Sequence, residues 1–311
     1  MIPKIKKKGK KKQNKKNETH KILTEPAGTP DFLAYRKLSQ LSQSATHIFI
    51  ILDARNPLSC RYSLFEDKIS SKLVFILNKI DLVPREISVS WYNALNGCAP
   101  TFAVCANKSI QPIINFVRQK ASDGSPLRIL IAGIGKSGKN VITTKLLNEQ
   151  IPNVDIQKSS SWTWLAPTSD LISLGACELS QSNSNMITLA HDFLCRCSIH
   201  SLMDVFKVPF FSDVNLILLT IVKSRKIAAY ELLTGLAQQK YPYYTLPLAT
   251  FIKNNLDGIE ETQKEMFRFS HPNDTFLDPF IILSYGTLNT LKPSVVQICQ
   301  KNFKSMIEDK L

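Results

Sequence analysis

The stretch LRILIAGIGKSGKNVITTKLLNEQ, residues 127–150, narrows the possible folds more than any other part of the chain. An apolar run, a glycine-rich turn and a helix-forming run follow one another without a break. Within the turn, Gly133, Gly135, Lys136, Ser137, Gly138 and Lys139 form a GxxxxGK pattern. Glycines let the backbone curl so that successive amide hydrogens point inward, a cradle for phosphate oxygens. The following helix adds its positive end, and Lys139 would lie on the outer phosphates. Asn140 stands where a serine or threonine hydroxyl usually ligates magnesium. Its longer side chain would misplace the oxygen, so metal binding is expected to be weak or absent. The plain alternative is a strand-to-helix turn that happens to use glycine and lysine. A strand before it and a helix after it favour the phosphate reading.

The preceding residues repeat the same alternation. DFLAYRKLSQLSQ, 31–43, spaces Phe32, Leu33, Tyr35, Leu38 and Leu41 as an amphipathic helix. THIFIILD, 46–53, and KLVFILN, 72–78, are buried strands with polar carboxyl ends, and Pro57 forbids a helix directly after the first. SVSWYNALNG predicts a helix ending at Gly97, APTFAVCANKS a third strand, IQPIINFVRQKA a helix and SDGSPL a turn. Strands alternating with helices imply an α/β fold: a parallel sheet with helices on both faces, three layers in all. Ligands of such sheets bind beyond the carboxyl ends of the strands. Asp53, Asn78, Asp81, Cys105, Ala106 and the glycine turn all fall there.

Within residues 151–198, KSSSWTWLAPTSD and LSQSNSN are serine-rich and loop-like, and DLISLGA, 170–176, reads as a short strand. From 199 the pattern is mostly helical, through DVNLILLTIV, KIAAYELLTGLAQQ and PLATFIKNNLDGIEETQKEMFRF to a last helix after Pro293. The expected organisation is a disordered basic tail over 1–25, a P-loop α/β domain over 26–198 and a helical domain over 199–311.

The tail dominates the charge. The net charge is +14, and residues 1–17 supply nine lysines (Lys4, Lys6, Lys7, Lys8, Lys10, Lys11, Lys12, Lys15 and Lys16) and no acid. Such a segment has almost nothing to bury. It suits nucleic-acid phosphates or nuclear-import receptors, and otherwise serves as a solubilising tail. No apolar core follows these lysines as a signal peptide requires, and no apolar run reaches membrane-spanning length, so no membrane partner is expected. Seven scattered cysteines without a CxxC framework suggest a reducing compartment, and the dispersed histidines assign no metal.

NKID, Asn78 to Asp81, follows a strand as a base-reading loop should. The Asp81 carboxylate can accept from the ring N–H and the exocyclic amine of guanine, a donor pair that adenine lacks. A wrong base would leave that carboxylate desolvated and unpaired. Asn78 would bond the base and brace the phosphate turn, and Lys79 would lay its stem along sugar and base. Ala106 would offer its backbone N–H to the guanine oxygen, beside Cys105. Alone, Asp81 is equally suited to capping a turn; beside a phosphate loop the motif gains weight.

Base loop first and phosphate loop second: this order resembles the circularly permuted GTPases of ribosome assembly, nucleostemin-type and other nucleolar members above all. DFLAYRKLSQLSQSATHIFIILDARNPLSCR resembles that family's opening helix and its strand with a DARxP signature, here Asp53, Ala54, Arg55, Asn56 and Pro57. The likeness covers residues 31–150 and resumes weakly at AAYELLTGLAQQK. It implies a nuclear, nucleolar monomer that binds GTP or GDP and pre-ribosomal RNA on large-subunit assembly intermediates. Asp53 and Arg55 are expected to pair locally, as a positioning element. The family's DxPG box, whose Asp holds magnesium through water, aligns with Gly175 to Glu178, where no acid stands first. A switch threonine would fall near Ser160 or Ser161. Magnesium binding and hydrolysis are therefore expected to be impaired, and no residue is assigned as a general base. Two alternatives stay open: a nucleotide-independent scaffold of the same ancestry, and an unrelated P-loop kinase or ATPase, which leaves NKID and DARNP unexplained. Trp162 and Trp164 either stack on RNA bases or anchor a loop.

Overall fold

The computed structural model describes residues 32–162, 168–177, 179, 185–210, 225–247, 256–271 and 279–282. The lysine tail, Trp164, Glu178, DVNLILLTIV and the segment after Pro293 lie outside the described residues.

The framework is a five-stranded parallel sheet: β1 (His47–Asp53), β2 (Leu73–Asn78), β3 (Thr101–Val104), β4 (Leu127–Gly133) and β5 (Val154–Lys158), in the spatial order β3-β2-β1-β4-β5. β1 lies at the centre, and residues 48–53 are all buried. A strand covered on both faces carries no polar alternation, which is why HIFIIL reads as one apolar run. Ile48, Ile50 and Leu52 enter one core; Phe49 and Ile51 enter the other.

On the second face lie α4 (Gln111–Ser122), with Pro112 in its first turn, and α5 (Lys139–Asn148). Ile113, Ile114, Val117, Ile142 and Leu146 fill that core. The first face carries α1 (Phe32–Ser44), α2 (Ser63–Lys68), α3 (Arg85–Asn96), α6 (Thr168–Ser173), α7 (Met186–Cys195) and α9 (Arg225–Ala237), while α8 (Ile199–Phe206) contributes Leu202. α3 starts three residues earlier than expected and stops before Gly97 as predicted. The P-loop α/β architecture holds, with three layers.

Three readings need correction. DLISLGA is helical over residues 170–173, not a strand. The amides of Gly175 and Ala176 bond back to Ile172 and Leu171, and Gly175, at φ +73°, closes the helix. Residues 154–158, left unassigned by the sequence apart from Lys158 at the start of a loop-like run, form a strand. Their exposure follows the VDIQK alternation of a half-covered edge. The region after 199 contains helices, including α10 (Glu261–Met266), but also a parallel pair, β6 (Tyr243–Thr245) and β7 (Phe280–Ile282).

This later part closes onto the sheet. The Gln263 side chain donates to the carbonyl of Ala103 and accepts from its N–H, at 2.8 and 3.0 Å, so a side-chain amide satisfies the free edge of β3. Trp91 Nε1 donates to the Thr245 carbonyl at 2.9 Å. Ala228, Leu232, Leu236, Tyr243 and Phe280 belong to the same core as the first face of the sheet. No described helix is long and apolar enough to cross a membrane.

Candidate functional site

The carboxyl ends of the central strands arrive in register. Asp53 of β1 pairs with Asn78 of β2, Asn78 with Val104 of β3, and Ile51 of β1 with Gly133 of β4. Residues far apart in sequence therefore meet along one edge.

The glycine turn between β4 and α5 is tightly set. Gly133 has φ +140°, and a Cβ there would lie 2.7 Å from the Ile51 carbonyl oxygen. Gly138 has φ +104°, and a Cβ there would lie 2.1 Å from Asn78 Nδ2. Lys136 takes the left-handed conformation at φ 58°. The Lys139 ammonium turns into the loop, donating to the carbonyls of Gly133 and Ile134 at 2.7 and 2.6 Å and to Ser161 Oγ at 2.8 Å. Burial, followed by the nearby Lys158 charge, pulls its pKa down to about 8.

Asn78 is the hub. Its Nδ2 donates to the Ser137 carbonyl at 2.8 Å, and its Oδ1 accepts from the Ala106 N–H at 2.9 Å. One buried amide thus joins the phosphate turn, the NKID loop and the Cys105–Ala106 loop. The predicted bracing is present. The Ala106 N–H, expected to face a guanine oxygen, is engaged by Asn78 and would have to be shared. Lys79, at φ 63°, directs its ammonium onto Asp53 Oδ2 at 2.7 Å. Asp81 lies on the next short turn, half-buried, with its carboxylate close to the Cys105 thiol. Burial first, then the neighbouring Asp81 carboxylate, pushes the thiol up to about 11.

Behind Lys79, Asp53 and Arg55 pair as expected. Arg55 Nε and Nη2 donate to the two Asp53 oxygens at 3.0 and 2.9 Å, and Nη2 also reaches the Leu174 carbonyl. The guanidinium lies over the Tyr243 ring, 5.1 Å from its centroid. Burial alone would raise the Asp53 pKa, but the Arg55 and Lys79 charges hold it well below the usual carboxylate range. Cys60, in the stretch that resembles the family's signature but given no role from sequence, accepts the Asp53 N–H on its Sγ at 3.3 Å.

The far wall is built by β5. Only residues 149–153 separate α5 from β5. Ser159 N donates to the Ile131 carbonyl at 2.9 Å, so Ser159, Ser160 and Ser161 leave the strand directly beside the phosphate turn, and Trp162 bridges to Ile134. These serines occupy the strand end next to the loop, where no acid stands. Gly175 closes α6, and Ala176 abuts Gly135, its carbonyl 3.1 Å from a Cβ placed there. Trp162 is buried edge-on against Tyr62 and Phe65, with ring centroids 6.3 and 6.4 Å away, and so anchors the loop rather than presenting itself to a base.

The donor set does not fit magnesium. Asn140 Oδ1 already accepts from Lys158 Nζ at 2.7 Å, and that ammonium would repel a dication at the same oxygen. Ser159 to Ser161 offer no carboxylate at the β5 end. Among the described residues, no group of three or more His, Cys, Asp or Glu side chains could hold a metal. The Lys158 contact was not foreseen, because it depends on strand register.

No family model matches the chain. It is 28% identical over 156 residues to mouse "Guanine nucleotide-binding protein-like 3", which covers 41% of this chain and 29% of that protein. It is 31% identical over 130 residues to "Nucleolar GTP-binding protein 2" of Cryptococcus neoformans var. grubii, covering 38% of this chain and 19% of the relative. The chain thus spans less than a third of the length of these relatives. A crystal structure of GNP-bound YlqF from T. maritima overlays with a TM-score of 0.49 at 15% identity, covering 67% of this chain and 94% of that one. NKID at the end of β2 and the glycine turn after β4 stand in the order base loop first, phosphate loop second, and over part of its length the chain is similar to proteins named for guanine-nucleotide and nucleolar GTP binding.

Proposed function

We propose that this chain binds GTP or GDP, with the phosphates in the turn from Gly133 to Asn140 and the base at Asn78, Lys79, Asp81, Cys105 and Ala106. The observation that carries this reading is Asn78, which ties the base-reading and phosphate-reading segments together through two hydrogen bonds. Two coincidental motifs would have no reason to share a buried amide. The relatives, one named for guanine-nucleotide binding and one for GTP binding and the nucleolus, support the same assignment.

From there the reading extends to the cell. The chain is a nuclear, nucleolar factor in large ribosomal subunit assembly, held on pre-ribosomal RNA by its lysine tail. Hydrolysis is slow or absent. Phosphoryl transfer relies on metal and positioning, and this site lacks a magnesium-side carboxylate among the described residues and has Asn140 in place of the hydroxyl.

Equilibrium binding of fluorescent GDP and GTP, with ATP as competitor, tests the core of the proposal. Binding that ignores ATP, vanishes in Lys139→Ala and shifts from guanine toward xanthine in Asp81→Asn is expected. Guanine affinity untouched by Asp81→Asn would refute the base assignment. Absence of binding would leave a scaffold that has given up nucleotide.

A further inference from the structure

Lys158 is a cation beside the glycine turn that no motif predicts. Lys158 is the last residue of β5, and the strand register sets it opposite Ile131, two residues before Gly133. Ser159 is hydrogen-bonded to Ile131 just beyond it, so the backbone under Lys158 is fixed. By the twofold alternation of a strand, Lys158 lies on the same face as Val154 and Ile156, which pack into the core shared with α5. Its Nζ reaches Asn140 Oδ1 at 2.7 Å in the first turn of that helix. The segments Gly133–Asn140 and Lys158–Trp162 together carry three lysines and no acid.

We propose that Lys158 takes the place of the divalent cation, so that the site receives the phosphates of GDP or GTP as the magnesium-free polyphosphate. This rests on the guanine-nucleotide reading above and adds the form of ligand that the site accepts. Asn140 supports it by holding the ammonium at the helix terminus, as the shorter hydroxyl residue at that position would hold a metal. Lys139, Lys136 and the amino end of α5 supply the remaining positive potential. The substitution of Asn140 and the lack of a carboxylate beside Ser159 then become two parts of one arrangement. A tethered ammonium needs no anionic ligand to hold it, and a hydroxyl in place of Asn140 could not reach as far toward Lys158. A monovalent cation also neutralises less charge on a terminal phosphate than a dication, in keeping with slow hydrolysis.

The test is a titration of the full chain with fluorescent GDP, once in excess EDTA and once in excess magnesium chloride. Wild-type affinity should agree within about twofold between the two buffers, because no metal contact is made. Lys158→Ala should weaken binding in EDTA by about tenfold, the loss of one charge-assisted hydrogen bond at an exposed position. Lys158→Arg should restore most of it. Lys158 is exposed, so both variants should keep the wild-type circular dichroism and melting curve. A wild-type protein that loses tenfold or more on metal removal, or a Lys158→Ala protein that binds in EDTA like wild type, overturns the proposal. Lys139→Ala separates the two levels. If it loses binding while Lys158→Ala does not, the nucleotide site stands and only the tethered cation falls; if wild type binds no nucleotide in either buffer, both fall.

Discussion

Substitution of Asp53 by alanine exposes how much the fold depends on the charge cluster behind the base loop. Asp53 and Arg55 are 1% and 3% exposed, so neither can rehydrate in place. Removing the carboxylate takes two hydrogen bonds from the guanidinium and leaves it with the Leu174 carbonyl and the Tyr243 ring. A buried ion pair broken from one side typically costs about 3–5 kcal/mol, because the remaining charge stays desolvated. Against a total stability of about 5–15 kcal/mol, that is a large fraction. In urea unfolding followed by circular dichroism, a slope of about 2–3 kcal/mol per molar gives a midpoint about 1–2.5 M lower. Lys79, 19% exposed, can turn to water once Asp53 is gone, and so contributes less to the loss. The double variant Asp53→Ala/Arg55→Met should recover much of the midpoint, since it also removes the stranded charge. The pH dependence has a definite sign. Asp53 is held below its unfolded value, so its stabilisation is complete above the ordinary carboxylate range and is lost as pH falls below about 4. The gap between wild type and Asp53→Ala should therefore narrow in acid. A single variant less than about 1 kcal/mol down at neutral pH, or a double variant no better than the single one, would refute the reasoning.

Other consequences are more local. Gly138→Ala places a methyl 2.1 Å from Asn78 Nδ2 on a backbone at φ +104°, so it should break the Asn78 to Ser137 bond and weaken nucleotide binding by at least about tenfold in a fluorescence titration. Lys139 has its pKa lowered to about 8, which means that folding disfavours its charge. Wild-type stability should then rise between about pH 8 and 10, where the unfolded chain still holds the proton, and this rise should be missing from the urea midpoints of Lys139→Met. Trp162→Ala should cost about 3–5 kcal/mol in unfolding experiments, as a fully buried ring packed on Tyr62 and Phe65. Cys105, buried and pushed up to about 11, should resist alkylation at pH 7, while exposed Cys98 reacts; mass spectrometry after brief iodoacetamide treatment distinguishes them.

The parts of the site that were legible in sequence share a property: each is set by its own strand and the turn after it. NKID and the glycine turn follow apolar runs, and the pairing of Asp53 with Arg55 needs only two residues of separation. What escaped depends on register between segments. Lys158 meets Asn140 because β5 adds to β4 with Lys158 opposite Ile131, and nothing in QKSSSW announces that partner. β5 itself escaped because five residues with three polar ones, followed by serines, carry a weak signal at an exposed edge. α6 was mistaken for a strand because six residues cannot separate the two periods; the left-handed Gly175 was the available cue. β6 and β7, three residues each and 34 residues apart, had no local signature at all.

The same distinction bears on how the nucleotide edge connects to the rest of the protein. The Arg55 carbonyl accepts the Thr245 N–H and hydroxyl at 2.8 and 3.1 Å, and Thr245 ends β6. From there the path is continuous: Thr245 to Arg55 by backbone, Arg55 to Asp53 by an ion pair, Asp53 to Lys79 by another, and Lys79 into NKID. Both links from Arg55 to Lys79 are ionic; the Asp53–Arg55 pair is buried, so losing either partner strands a charge, whereas Lys79 keeps access to water. The DARNP stretch therefore needs no contact with a ligand to explain its composition. Asp53 must be acidic because it faces two cations, Arg55 must be long and forked to reach both carboxylate oxygens and Leu174, and Pro57 turns the chain before a helix could form. Functional geometry at the base loop is thus held from behind by residues that touch only protein, which is why a charge-neutralising change at Asp53 should disturb Lys79 and the guanine end before it disturbs the phosphate turn.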